Sequence, residues 1–347
     1  MVKVISLFSG CGGMDLGFKD AGFEIAYAND IDKDAYDTYS FNFPLIMDRR
    51  NISKIDPVEI PDADGIIGGP PCQSWSLAGS LRGGNDPRGK LFYDYARILG
   101  AKKPLFFVAE NVPGIVSSRH ISAFNRILSV LKKPGYVVNW KLIDARDYCV
   151  AQQRKRVIIV GFRKDAAISY RFPDTKCTKD GASIDGTKGK WLTLWNTIGN
   201  MPGAVPSLPM DKPNQKLEMP NHEYMEGAFS MIYMSRNRRR DWNSQSYTIQ
   251  AGGRHAPLHP DSCDMCKVDT DKFEFTGEGY RRLSVREAAR IQGFPDSFIF
   301  KYRNVSGGYK VIGNAVPPPL AKAIAESIND AIANRLDNHR RNLHANA

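Results

Sequence analysis

The sequence predicts an α/β fold: a Rossmann-like, doubly wound, mostly parallel sheet joined to a smaller, loop-rich domain. Three observations predict it. Over the first 163 residues, short apolar runs alternate with helical patterns, as in a parallel sheet covered by helices on both faces. Turns rich in glycine or proline stand directly after the first and third of these runs, where such sheets bind their ligands. Beyond Arg163 the periodicity fades, and Pro, Gly, Asn, Asp and Thr accumulate.

Buried strands are predicted at Val4–Leu7, Ile25–Ala28, Gly65–Gly68, Leu105–Ala109, Val137–Ile143 and Val157–Phe162. Between them, Leu91–Leu99 carries a helical pattern, and Ile121, Phe124, Ile127 and Leu131 repeat at helical spacing. Residues 1–163 are therefore read as a sheet domain with its ligand side at the strands' carboxyl ends, and 164–280 as a second, irregular domain. Helical order returns over 281–336 and is expected to rejoin the sheet. There Ser284 and Glu287 form a capping box, and Gly293 is placed to end the helix. A last helix begins near Pro318/Pro319, with Leu320, Ile324, Ile328 and Ile332 as its apolar stripe. The polar residues 337–347 are expected to fray.

The 347 residues are 42% hydrophobic and 24% charged, which supports a packed core and excludes global disorder. No apolar run is long enough to span a bilayer, and no export signal is visible at the N-terminus. A cytoplasmic protein is expected, without a membrane partner. Lys and Arg outnumber Asp and Glu by 48 to 37, net +11. An excess of this size points to a polyanion such as nucleic acid. The six cysteines are too few and scattered for a disulfide scaffold, so reduced thiols are expected. Cys263 and Cys266 form a single C-x-x-C with no second pair, which makes no zinc set by itself, and no metal is expected.

Chemistry-bearing residues gather at the predicted carboxyl ends of strands. After the first strand comes Phe8-Ser9-Gly10-Cys11-Gly12-Gly13, a glycine turn opening a helix, suited to cradle a nucleotide-like ligand. Asp15 stands where the dinucleotide fingerprint requires its third glycine, which argues against a nicotinamide or flavin fold. Asp30, after the second strand, is placed to accept hydrogen bonds from ribose hydroxyls. After the third strand, Gly68-Gly69-Pro70-Pro71-Cys72-Gln73-Ser74-Trp75-Ser76 holds a thiol on a stiff turn, which reads as a presented nucleophile. A zinc deaminase would need P-C-x-x-C, and Trp75 occupies the second cysteine's position. The following glycine-rich stretch, with Arg82 and Arg88, reads as a lid with charge to touch phosphate. Glu110 ends the fourth strand, facing the same crevice as Cys72. Arg154 and Arg156 are expected to share one face at the start of the sixth strand, where two guanidiniums could hold an anionic or carbonyl-bearing ligand.

Taken together, the chain resembles the DNA cytosine-C5 methyltransferases, in particular those of bacterial restriction–modification systems. The resemblance rests on FSGCGG (8–13), GGPPCQSWS (68–76), AENV (109–112), QQRKRVIIVGFR (152–163), RRLSVREAARIQGFP (281–295) and GNAVPPPLA (313–321), in family order over nearly the whole chain. It implies methyl transfer from S-adenosylmethionine, leaving S-adenosylhomocysteine, to C5 of a cytosine flipped out of duplex DNA. Cys72 would attack C6, Glu110 would bind the N3/N4 edge, and Arg156, helped by Arg154, would hold O2. The cofactor would be held by Phe8, Gly10, Gly12, Gly13, Asp30, Ile31, Asn51, Ile52, Pro70, Leu91, Asn314 and Val316. Asn51 stands where the family usually has Asp, and its carbonyl could still accept from an adenine amino group. The segment 164–280 falls where the family keeps its target-recognition domain. There SRNRRRDW and TIQAGGRHAPLHP are similar to segments of members that recognise GGCC-type sites. Arg236, Arg238 and Arg254 would read guanines and Arg239 and Arg240 would meet phosphates, while Gln73 or Ser76 would fill the space the base vacates. A monomer with no obligate protein partner, associated with the nucleoid through DNA, is expected. A tRNA cytosine-5 methyltransferase of the same fold is the rival reading; the long Arg-rich segment favours duplex DNA.

Overall fold

The computed structural model describes residues 1–45, 47–71, 90–181, 188–229 and 231–345. Cys72, Gln73, Ser76, Arg82 and Arg88 lie outside the described residues. The six expected strands form one sheet: β1 (Lys3–Leu7), β2 (Glu24–Asn29), β3 (Gly65–Gly68), β4 (Phe106–Asn111), β5 (Tyr136–Asp144) and β6 (Lys155–Arg163). Their order is β2-β1-β3-β4-β6-β5. The chain turns back at β1, with β2 on one side and β3 on the other, and this reversal opens a crevice at the strands' carboxyl ends.

The sheet is mixed. β1 to β4 are parallel, but β6 runs antiparallel to both β4 and β5. Only Ala145–Arg154 separates β5 from β6, too little for a parallel crossover, so the chain can only double back.

Alternation along each strand sorts side chains to two cores. Val4, Phe106, Val108, Ile158 and Val160 face α1 (Gly13–Asp20) and α8 (Pro318–Ala345). Ile5, Leu7, Phe107, Val157 and Ile159 face α3 (Lys90–Lys102) and α4 (Ile121–Lys132). α1 and α8 cross at Gly17, where a Cβ would stand 2.6 Å from both Ala321 Cβ and the Pro318 carbonyl oxygen. The helix expected to end at 336 continues as backbone helix to Ala345.

A third core binds the irregular region to the rest. Leu194 and Ile198 of α5 (Leu194–Ile198), with Ile249 and Ala256, pack against α6 (Val285–Gln292), α7 (Val305–Asn314) and the Tyr39 and Phe43 rings at the end of α2 (Lys33–Asn42). The 281–336 stretch therefore does two jobs: α8 rejoins the sheet, while α6 and α7 also support the irregular region. Within that region the described regular structure is slight: short strand pairs and a hairpin of Met265–Asp269 with Lys272–Phe275. The Ser284–Glu287 capping box forms, and Gly293 ends α6 at φ 91°.

The thiols depart from expectation. Cys149 and Cys177 form a disulfide, their Cα atoms 5.5 Å apart. It fastens the turn between β5 and β6 to the start of the irregular region, beside a backbone hydrogen bond from Lys176 N to Asp147 O. Cys149 has φ 60°, a left-handed conformation that favours glycine.

Candidate active site

The crevice at the carboxyl ends of β1 to β4 opens into a cavity of about 800 Å³. The turn after β1 is shaped by left-handed residues, Phe8 at φ 56° and Gly10 at φ 56°. A Cβ on Gly10 would meet nothing within 4 Å, so the backbone there faces open space. Gly10 N donates to Asp30 Oδ2 at 2.8 Å, and Asp32 N donates to Asp30 Oδ1 at 2.9 Å. These bonds fix the carboxylate at the end of β2, each oxygen retaining a second lone pair. Burial pushes the Asp30 carboxyl up from its ordinary pKa.

Ten of the twelve expected cofactor positions line this cavity. Phe8 and Gly10 come from the β1 turn, Asp30 and Ile31 from the end of β2, and Asn51 and Ile52 from the segment before β3. Pro70 follows β3, Leu91 belongs to α3, and Asn314 and Val316 flank the turn between α7 and α8. Ile31 is 66% exposed, an apolar side chain available to a ligand's flat face. Gly12 and Gly13 stand behind the wall. A Cβ on Gly12 would strike the Phe43 ring, and one on Gly13 would lie 2.4 Å from the Val316 carbonyl oxygen. Their work is close packing of the α1 start against its neighbours. Asn51 Oδ1 accepts from Ser53 N at 3.1 Å, so this oxygen already caps a short helical turn.

Sequence reasoning missed several wall residues. Arg50 lines the cavity with its guanidinium held by Asp48 and Glu59, both at 2.7 Å. Ser6 and Asp15 also line it. Asp15 was legible only as a missing glycine; its position one turn into α1, beneath the β1 turn, was the available signal.

Two of the expected catalytic groups, Glu110 and Arg156, meet at one edge of this cavity. Arg156 Nε lies 2.7 Å from Glu110 Oε1, and both side chains are about nine-tenths buried. β4 and β6 are adjacent and antiparallel, which brings the end of one beside the start of the other. Asn111 Nδ2 donates to Pro70 O at 3.1 Å and ties the proline turn to the Glu110 strand. A Cβ on Gly69 would come within 3.2 Å of Glu110 Oε2, so glycine leaves room for the carboxylate. Cys72 follows this turn by one residue beyond Pro71.

Arg154 goes elsewhere. It precedes β6, so strand alternation does not align it with Arg156. Its guanidinium is fully buried and donates to Ile249 O at 3.0 Å, Gly313 O at 2.7 Å and Ala315 O at 2.9 Å. Burial, and then the Arg156 charge, hold its pKa below the usual arginine range. Beside it Gln292 Nε2 donates to Ile312 O and Ala315 O, and Gln152 bonds Gln292 and the Ile249 N–H. Arg154 thus joins the sheet, the irregular region and the cavity's Asn314 turn.

The five arginines of the irregular region expected to meet DNA differ in their surroundings. Arg236 and Arg254 are exposed. Arg238 donates to Tyr233 O and Ile232 O and lies over the Tyr233 ring at 4.8 Å. Arg239 pairs with Asp264 and Asp241, so its charge is already balanced, unlike the phosphate contact expected of it. Arg240 stacks over the Tyr247 ring at 4.0 Å and donates at 3.2 Å to Oε1 of Gln153, on the segment leading into β6. Arg236, Arg238, Tyr247, Thr248, Gln250 and His255 line a surface cavity of about 340 Å³. Cys263 Sγ donates to Gly277 O, and among the described residues no cluster of His, Cys, Asp and Glu is arranged to hold a metal.

The geometry agrees with comparisons to known proteins. Type II methyltransferase M.MthTI of Methanothermobacter thermautotrophicus is 51% identical over 331 residues, 94% of this chain and 97% of its own. Type II methyltransferase M.NgoPII of Neisseria gonorrhoeae is 48% identical, over 94% of this chain and 95% of its own. Among solved structures, Entamoeba histolytica methyltransferase EhMeth superposes with a TM-score of 0.67 at 19% identity, covering 95% of this chain and 98% of that one, which supports the fold. The family model for C-5 cytosine-specific DNA methylases matches residues 2–330. The chain belongs to that family and is a DNA (cytosine-5-)-methyltransferase.

Proposed function

We propose that this enzyme methylates a cytosine flipped out of a short GGCC-type site in duplex DNA, as the modification partner of a restriction endonuclease. The observation that carries this reading is the Glu110–Arg156 pair, 2.7 Å apart at the edge of a cavity that fits a nucleoside-bearing cofactor and beside the turn leading to Cys72. The fit rests on the open backbone at Gly10, the fixed Asp30 carboxylate and the exposed Ile31 side chain. The family is S-adenosylmethionine-dependent, and that cofactor supplies an electrophilic methyl group on a sulfonium.

Cytosine C5 is too electron-poor to attack such a methyl group unaided. The Cys72 thiolate adds to C6, and the displaced electron pair makes C5 nucleophilic. Glu110 hydrogen-bonds the N3/N4 edge and favours protonation at N3, stabilising charge as it develops. Arg156 orients Glu110 and faces O2. Once C5 carries the methyl group, loss of its proton restores the double bond and expels the thiolate. Arg154 acts as a positioning residue. Arg236 and Arg254 are the exposed candidates for guanine readout, and Arg240 is held by Gln153 and Tyr247. The enzyme is taken to act as a cytoplasmic monomer.

Methyl transfer to duplexes with and without GGCC, and to tRNA, tests the reading, with bisulfite sequencing to locate the modified base. Transfer confined to one cytosine of GGCC is expected. Equal transfer to all duplexes would refute the site, and preference for tRNA would refute duplex DNA as substrate.

A further inference from the structure

Asp15 has no accessible surface, yet it forms part of the cofactor cavity's wall. Its Oδ2 accepts from Ser6 Oγ at 3.0 Å and its Oδ1 from Tyr39 Oη at 2.9 Å. The neighbouring charge that bears on it is another carboxylate, Asp30. Lys310 of α7 pairs with Asp32 and Asp34 at the cavity's edge, and no ion pair is formed by Asp15 among the described residues. Cys11 and Tyr39, the other titratable groups around it, are both pushed up by burial and stay neutral. A buried carboxylate without a cation is costly. Two hydroxyl donors and the start of α1 offset part of that cost. Burial still raises the Asp15 carboxyl to about 6.

We propose that Asp15 supplies the negative charge by which this enzyme prefers the cationic sulfonium of its cofactor to the neutral thioether of its product. The inference rests on the reading of this cavity as the S-adenosylmethionine site. Cofactor and product share the adenine, the ribose and the amino-acid end, and differ by one methyl group and one positive charge. A wall group that tells them apart electrostatically must carry charge and be shielded from water, where the interaction is strong. Among the described residues neither Asp15 nor Asp30 pairs with a cation; Asp30 is engaged on both oxygens by backbone N–H groups at the end of β2, whereas Asp15 accepts from the Ser6 and Tyr39 hydroxyls at the start of α1, fully shielded from water. Asp15 is therefore placed to hold methyl donor and release product, acting through space as a positioning residue.

Isothermal calorimetry of S-adenosylmethionine and S-adenosylhomocysteine on the wild type and Asp15→Asn tests this without turnover. At about pH 7.5 the near-isosteric amide should weaken the sulfonium ligand about tenfold and the thioether less than about twofold. The wild-type preference should fade as pH falls through about 6, because protonation removes the charge. Asp30 and Asp32 remain in the variant, so a pH dependence as large in Asp15→Asn as in the wild type would assign the effect to them and overturn the proposal. Equal weakening of both ligands would reveal a merely structural role and also overturn it, as would no change in either. Failure of the wild type to bind either ligand would instead refute the cofactor reading. If Asp15→Asn does not fold, Tyr39→Phe decides. Losing that donor should raise the pH at which the preference fades, and an unmoved pH would overturn the proposal.

Discussion

Replacing Arg154 by methionine removes a guanidinium that three backbone carbonyls share: Ile249 O, Gly313 O and Ala315 O. All three bonds are buried, so the carbonyls have no water to replace the lost donors. Gln292 Nε2 still donates to Ala315 O, so two carbonyls lose this donor at roughly 1–3 kcal/mol each, and with some relief from no longer burying a charge the net loss should be about 2–5 kcal/mol. That is a large part of the roughly 5–15 kcal/mol by which proteins are stable. With a urea slope of about 3 kcal/mol per molar, the unfolding midpoint should fall by roughly 1–2 M. Cofactor affinity should fall as well, because Asn314 and Val316 line the cavity on either side of Ala315. Urea unfolding followed by circular dichroism, with calorimetry of cofactor binding, measures both. If the midpoint and cofactor affinity were unchanged and only the turnover number fell, Arg154 would be touching substrate and the positioning role would be wrong.

Other consequences are equally direct. Breaking the Cys149–Cys177 bond opens a loop of sequence separation 28 and should cost roughly 3–4 kcal/mol, read as a lower melting temperature in reductant or in Cys177→Ala; alkylation of both thiols without reductant would contradict the bond. Cys149→Gly should lose less than Cys177→Ala, because glycine relieves the left-handed turn at φ 60°. Glu110→Gln should slow turnover by ~10²–10⁴-fold with cofactor binding unchanged, since an amide cannot favour N3 protonation; a loss confined to cofactor affinity would refute its role. Arg236→Ala and Arg254→Ala should each cost about 1–3 kcal/mol of cognate binding and much less on non-cognate DNA, while Arg239→Ala should change little because Asp241 and Asp264 balance its charge. Competition binding with cognate and scrambled duplexes separates these cases, and the three variants behaving alike would place the readers elsewhere.

Much of the fold was legible because buried strands must be apolar and bounded by turns. All six sheet strands fall within a residue or two of their apolar runs, and the Ser284–Glu287 box and Gly293 mark the ends of α6. Strand direction is not written in composition, so the antiparallel β6 emerged only from the short β5–β6 connection. Helix α7 was hidden by Gly307, Gly308 and Gly313, which ordinarily weaken helices. Here they allow close approach: a Cβ on Gly313 would stand 2.3 Å from Gln250 backbone, and one on Gly308 2.7 Å from the Tyr302 ring. In the site, residues at strand ends were readable because topology fixes where strand ends go, as Glu110 and Asp30 illustrate. Arg154 was not, because the i, i+2 rule applies only inside a strand and Arg154 lies one residue before β6. The Cys149–Cys177 pairing was equally invisible, since only the folded turn brings the two residues together. At Asp15 the motif showed only a missing glycine, which correctly set a nicotinamide or flavin fold aside; the Ser6 and Tyr39 hydroxyls that bond it are brought there by the fold.

Covalent attack by Cys72 on C6 of the target cytosine can be caught by trapping. A GGCC duplex carrying 5-fluorocytosine at the target position should, with S-adenosylmethionine present, give a protein–DNA adduct that survives denaturation, because fluorine cannot leave as the C5 proton does. Peptide mapping should place the link on Cys72, and Cys72→Ser, with its far weaker nucleophile, should form none while still binding the duplex. The absence of an adduct with the wild type, or a link to any other residue, would contradict the account.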